Sequence, residues 1–265
     1  MGGEPTFVSL DNREGPEWRT AALGPDKHKL AGQLLRRLAD RFAPGALLHY
    51  GQGKWYPGEP LPRWALSCLW RADAAPLWSE PDLLASDDTV GDADADRACA
   101  FVEALCDALG LDRPSPIPAY EDAWYHFWLQ RRTPSDAKLD PAEPTDDMER
   151  DRLARLLEAG LDAPVGYVLP LAGVEPKPKP KPKKGAAWRS SLWRFRTDRL
   201  FLVAGDSPMG WRLPLGDLPA DDPELVRTAL CVEPREGRLH VFLPPVDSGA
   251  GFARLIAALE KGVRA

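Results

Sequence analysis

Five stretches of the chain carry apolar residues at helical spacing. Leu30, Leu34, Leu35, Leu38 and Phe42 recur with a 3.6-residue period between Pro25 and the Pro44-Gly45 stop, and predict a helix. Arg36, Arg37 and Arg41 fall off that stripe and are assigned to a solvated face. Phe101, Val102, Leu105 and Leu109 predict a second helix over 97–109, ended by Gly110. A third is expected over 119–129, where Tyr120, Trp124 and Trp128 stand at i, i+4 and i+8. The aromatic stripe is read as core rather than as a binding platform. Met148, Leu153, Leu156 and Leu157 mark a fourth helix, over 147–159. Phe252, Leu255, Ile256 and Leu259 mark a fifth, with Ser248 as its cap and Gly262 as its stop.

Between these helices lie short apolar runs bounded by turn residues, the pattern of strands. Early in the chain they cover 46–50, 64–71 and 165–169. The last third is denser in them, at 187–195, 200–203, 210–215, 226–232 and 239–243, and 234–238 suggests a hairpin between the final two. Residues 1–24, with Phe7-Val-Ser-Leu10 as their strand-like run, read as an extended edge or appendage. The fold class expected is α+β, with about five helices on mixed or antiparallel sheets.

Low complexity enters at 176–184, where Pro and Lys alternate. That composition favours an extended, solvated chain, so residues 173–186 are taken as a loop or linker between an α/β region, 1–172, and a β-rich segment, 187–265. Residues 173–200 hold nine basic side chains against Glu175 and Asp198, a local cationic patch best explained as a solubilising tether.

Composition narrows the function classes. A chain of 265 residues with 44% hydrophobic and 28% charged residues is ordinary for a soluble globular protein. No apolar run reaches the roughly 18 residues of a membrane span, and the N-terminus has no secretory pattern, so a cytoplasmic protein is expected. A net charge of −6 argues against general nucleic-acid binding. Cys68, Cys99, Cys106 and Cys231 form no C-x-x-C pair and read as reduced, packed thiols. Asp92-Ala-Asp-Ala-Asp96 lacks the glycine and distal glutamate of a calcium loop. The turn Gly205-Asp-Ser-Pro-Met-Gly210 has Met209 where a hydrolase nucleophile elbow needs glycine. Gly51-Gln-Gly-Lys54 lacks the spacing and the Ser/Thr of a phosphate loop.

Candidate chemistry gathers in residues 49–64, a loop joining two strands. It places His49, Gln52, Lys54, Trp55, Tyr56, Glu59 and Arg63 among glycines and prolines that keep the backbone irregular. Lys54 and Arg63 suit an anionic group, Glu59 an amine, and Trp55 and Tyr56 the walls of a pocket, although a packed connection would use the same aromatics.

The wording of this loop, with 18–25, 119–125, 166–170, Gly205-Asp-Ser-Pro208, Arg212-Leu-Pro-Leu215 and 228–235, resembles the amidoligase region found behind a transglutaminase-like domain in long bacterial proteins. The resemblance covers nearly the whole chain in order and matches the N-terminal part of that region. It implies a carboxylate-amine ligase using ATP and magnesium, on a sheet that begins like that of glutamine-synthetase-like enzymes. Glu233, at a strand end, is then the candidate metal ligand, with Arg235 and His240 nearby across the hairpin and Glu121 a further candidate. Such a site is incomplete by itself. The resemblance implies a fragment or split subunit, inactive in isolation, that works with the transglutaminase-like domain and the remaining amidoligase region on a small-molecule or peptide carboxylate and amine. The alternative is a non-catalytic module that binds a peptide or carboxylate for the transglutaminase-like domain.

Overall fold

The computed structural model describes residues 11–15, 25–52, 64–86, 89–111, 116–122, 162–174, 187–195, 198–203 and 211–265. The chain forms two compact units, Met1–Ser79 and Glu80–Ala265. In the first, helix α1 (Pro25–Phe42) packs on a two-stranded antiparallel sheet, β1 (Leu47–Gln52) with β2 (Trp64–Leu69). Ala31 and Ala39 are its buried positions, with Ala43 buried just past its end, whereas Leu34, Leu38 and Phe42 stay exposed. The small residues, more than the leucine stripe, make the close contact. Arg36, Arg37 and Arg41 are exposed as the pattern requires.

The second unit is built on a five-stranded sheet of order β7-β3-β4-β8-β9: Leu200–Phe201, Ile117–Tyr120, Gly166–Pro170, Ala229–Arg235 and Arg238–Phe242. Only β3 and β7 run parallel. The pleat sends alternate residues to opposite faces, and the two faces are covered differently. Leu169 and Leu230, paired in register, lie on the face packed by helix α2 (Ala95–Leu109), which in turn packs on α3 (Gly249–Arg264). Val168, Cys231, Ala119 and Leu200 lie on the other face. There Trp193, Leu202 and Leu218 close the core, with Phe195, Trp211 and Leu213 beside them.

Both helices of this unit end as local chemistry dictates. Asp94 caps α2 by accepting from the Arg97 amide at 2.9 Å, and Gly110 closes it in a left-handed conformation. Ser248 caps α3 through the Gly251 amide at 3.1 Å. Gly262 does not stop α3, which runs to Arg264. A side chain placed there would come within 3.3 Å of the Phe101 ring, so its glycine permits close approach of α3 to α2.

Four further expectations need correction. The segment expected as a helix over 119–129 begins as strand β3, with Glu121 and Asp122 past its end; residues 123–130 lie outside the described residues, as does the helix expected over 147–159. Among the described residues there are three helices, not about five. Of the run 187–195, only Trp188–Arg189 is strand (β6), paired with β5 (Ala172–Gly173). Residues 211–214 are irregular and precede a 3-10 turn, Leu215–Asp217. In these last two places the apolar groups are buried by an irregular layer that leaves the buried Ser190 hydroxyl and Trp211 indole without a hydrogen-bond partner among the described residues but pairs some of its polar groups locally. The Trp193 indole, for example, donates to the Val226 carbonyl at 2.6 Å, and the Val226 amide donates to Ser191 Oγ at 2.8 Å.

The Val174 amide donates to the Ala187 carbonyl at 2.9 Å, which draws together the two ends of the Lys-Pro tract. Strands β4 and β8, from either side of the tract, are neighbours in one sheet, so a partition at 173–186 would run through that sheet. No described helix is long and apolar enough to cross a membrane.

Candidate functional site

The hairpin of β8 and β9 is closed by a two-residue turn, Glu236-Gly237, with φ values of 51° and 72°. Positive φ at both central residues matches the right-handed twist of the flanking strands. The turn is clamped from outside. The Ala93 amide donates to the Gly237 carbonyl at 2.9 Å, and Arg238 reaches the Ser86 carbonyl at 2.9 Å while pairing with Glu236 at 2.6 Å.

This register sets Glu233 directly opposite His240 and Cys231 opposite Phe242, with Arg235 next along the same face. Arg235 Nη2 donates to Glu233 Oε2 at 2.7 Å, and its guanidinium carbon stands 5.1 Å from the centre of the Phe242 ring. Both members of the ion pair are largely shielded, with side chains 25% and 17% exposed, so the charge-assisted bond is worth more than a surface pair. The three hairpin residues singled out in the sequence therefore do come together, as a polar end to an otherwise apolar sheet face.

His240 Nδ1 lies 3.4 Å from the Arg238 carbonyl. Burial, and then the charge of Arg235, hold the imidazole below its ordinary value of 6.5, which favours the neutral ring. A depressed folded-state value means that the stabilising contribution is present above the unfolded value and is lost as pH falls through the folded one. Urea unfolding at about pH 7.5 and about pH 5 should therefore show the native protein losing stability that His240→Gln does not lose. An identical pH dependence in the two proteins would refute the assignment.

Cys68, Cys106 and Cys231 are not poised for nucleophilic work. Burial pushes Cys231 up to about 12 and Cys106 up to about 11, and raises Cys68 as well. All four cysteines are free thiols, although Cys68 and Cys99 are only half-buried.

In the first unit, β1 and β2 pair in register from Leu47↔Leu69 to Gln52↔Trp64, so the loop between them is a hairpin connection. Lys54, Trp55, Tyr56, Glu59 and Arg63 lie outside the described residues, and for Gln52 only its backbone pairing is described. His49 is half-buried, its Nδ1 3.4 Å from Ser67 Oγ across the sheet. Glu121 is buried, 6% exposed, just past β3. Beside it Arg199 stacks over the Tyr120 ring at 5.0 Å and pairs with Asp162 at 2.8 Å, a contact that no sequence period signals.

Among the described residues no group of three His, Cys, Asp or Glu could hold an ion, and Glu233 is engaged by Arg235. Magnesium demands near-octahedral oxygen ligands. The hairpin does not supply them.

Over residues 1–225 and 220–265 the sequence matches the family described as "Putative amidoligase enzyme (DUF2126)". No curated protein and no solved structure matches it.

Proposed function

The chain belongs to the DUF2126 amidoligase family, and on that premise we propose that it forms part of an ATP-dependent carboxylate-amine ligase in which the Glu233, Arg235 and His240 face serves the reacting groups. The observation that carries this reading is the shielded Glu233 to Arg235 pair at 2.7 Å, set opposite the half-buried His240. Amide formation from a free carboxylate requires activation. Transfer of the terminal phosphoryl group of ATP gives an acyl phosphate and ADP. The amine then attacks the acyl carbon, phosphate departs, and the attacking nitrogen gives up a proton. A neutral imidazole suits acceptance of that proton, and a guanidinium held in place by a carboxylate suits a phosphate or carboxylate oxygen. In the same reading Lys54 and Arg63 attract an anionic substrate group and Glu59 orients an amine.

Among the described residues β9 is the outer strand of its sheet, with one edge open to further pairing. That supports assembly with the remaining amidoligase strands of a glutamine-synthetase-like sheet and with a transglutaminase-like domain, which would bring the metal-binding carboxylates the hairpin lacks. The absence of a carboxylate cluster among the described residues also favours a second reading, a peptide- or carboxylate-binding module that needs no metal. Mixing the chain with both partners decides between them. Release of ADP that requires carboxylate and amine together is the expected result. Saturable carboxylate binding with no ADP release from any carboxylate and amine mixture would establish the second reading.

A further inference from the structure

A cavity of about 380 Å³ opens beside the first turn of α3, against the Gly173-Val174 and Ala187-Trp188 stretches of the β5-β6 pair. Trp188, Val174 and Val246 are its larger apolar lining, with Gly173, Ala187 and Gly251 among the small residues that complete it. Its charged groups among the described residues are Asp247, just before the cap, and Arg254, in the helix, both exposed. Neither takes part in an ion pair with a described residue.

We propose that this cavity binds a small zwitterion, a molecule carrying an ammonium and a carboxylate on one short skeleton, as an amino acid does. Asp247 and Arg254 line the same cavity, so an ammonium can be held at the first and a carboxylate at the second through charge-assisted hydrogen bonds. A simple anion would satisfy Arg254 but meet Asp247 as a like charge, and a simple amine would meet the reverse. The apolar walls take the side chain, and the volume is at the small end for ligand sites. The site itself does not depend on the ligase reading. That reading supplies its use, since an amide-forming enzyme needs a bound amine or carboxylate partner.

The test is a titration of the chain with single L-amino acids of differing side chains, without ATP, followed through the Gly251 amide and Trp188 indole resonances. Saturable shifts in the millimolar range are expected for at least one amino acid, with propionate and ethylammonium at least about tenfold weaker. Asp247→Asn and Arg254→Gln should each weaken binding by about tenfold or more at an unchanged melting temperature, and Arg254→Lys should restore part of it. The absence of saturable shifts with every amino acid, propionate binding as tightly as alanine, or binding that survives both charge-removing variants would overturn the proposal. Because no turnover is read, failure here leaves the ligase reading standing, and failure of that reading leaves this site standing.

Discussion

Replacing Gly237 with valine is expected to cost about 2 to 5 kcal/mol of stability, through backbone strain and steric overlap acting together. At φ 72° a β-branched residue is disfavoured wherever it sits. Here a Cβ would also fall 1.9 Å from the carbonyl oxygen of Gly91, which has no side chain whose movement could relieve the clash. Either the 89–93 segment moves away, losing the Ala93 to Gly237 hydrogen bond, or the turn opens and the Glu233↔His240 register loosens. Urea denaturation gives the stability change. A second probe, the chemical shift of His240, should move toward that of an exposed imidazole. Glu236→Ala is the contrast, since it removes an exposed ion pair at a position that already tolerates a side chain. Its cost should not exceed about 1 to 2 kcal/mol. A Gly237→Val protein as stable as the native one would mean that 89–93 is not seated on the hairpin.

That clamp shows where sequence reading stops. The hairpin was legible from the apolar runs on either side of Glu236-Gly237, and the Ser248 cap and the helix ending at Gly110 from short-range signals. Pairing of Gly91 with Gly237 was not, because it joins residues far apart in sequence and leaves no local pattern. The same limit applies to 119–129. Tyr120, Trp124 and Trp128 have helical spacing, but Ala119 is fully buried between β4 and β7, and a buried four-residue strand shows no period of its own. The apolar runs 187–195 and 200–203 identify core residues correctly, Trp193 and Leu202 among them. What they do not encode is that irregular backbone can cover a sheet face when indole, hydroxyl and backbone groups bond one another. Gly262 illustrates a different ambiguity. Near a helix end, glycine signals a stop, yet here it marks the point at which α3 presses on Phe101 and Leu105. The candidate site was legible only as neighbours across a predicted hairpin; the register that sets Glu233 opposite His240, with Arg235 on the same face, came from the structure. Its ion pair needed coordinates, as did the Asp247 and Arg254 cavity, whose walls come from three separate segments.

Glu233→Gln, tested in the assembled ligase, is expected to lower kcat/KM for ADP release by about 100-fold or more, comparable to removing a preorganised charged group from an active site. Glutamine keeps the shape of the side chain and removes the charge that holds Arg235. The guanidinium is then left largely shielded without its counter-charge and turns toward solvent, taking its donors away from the reacting oxygen. If Glu233 acts by fixing Arg235, then Arg235→Met should lose about as much activity, and the double variant should be little worse than either single one. If instead Glu233 becomes a metal ligand once further strands supply more carboxylates, Glu233→Gln should weaken magnesium-dependent ATP binding, whereas Arg235→Met should leave that binding nearly intact. The His240 resonance supplies a readout that mere destabilisation would not reproduce. Removing the Arg235 charge takes away one of the causes holding the imidazole low, so its titration should move upward in Arg235→Met. A folded Glu233→Gln assembly that keeps activity within about threefold of the native one would show that this sheet face takes no part in the chemistry.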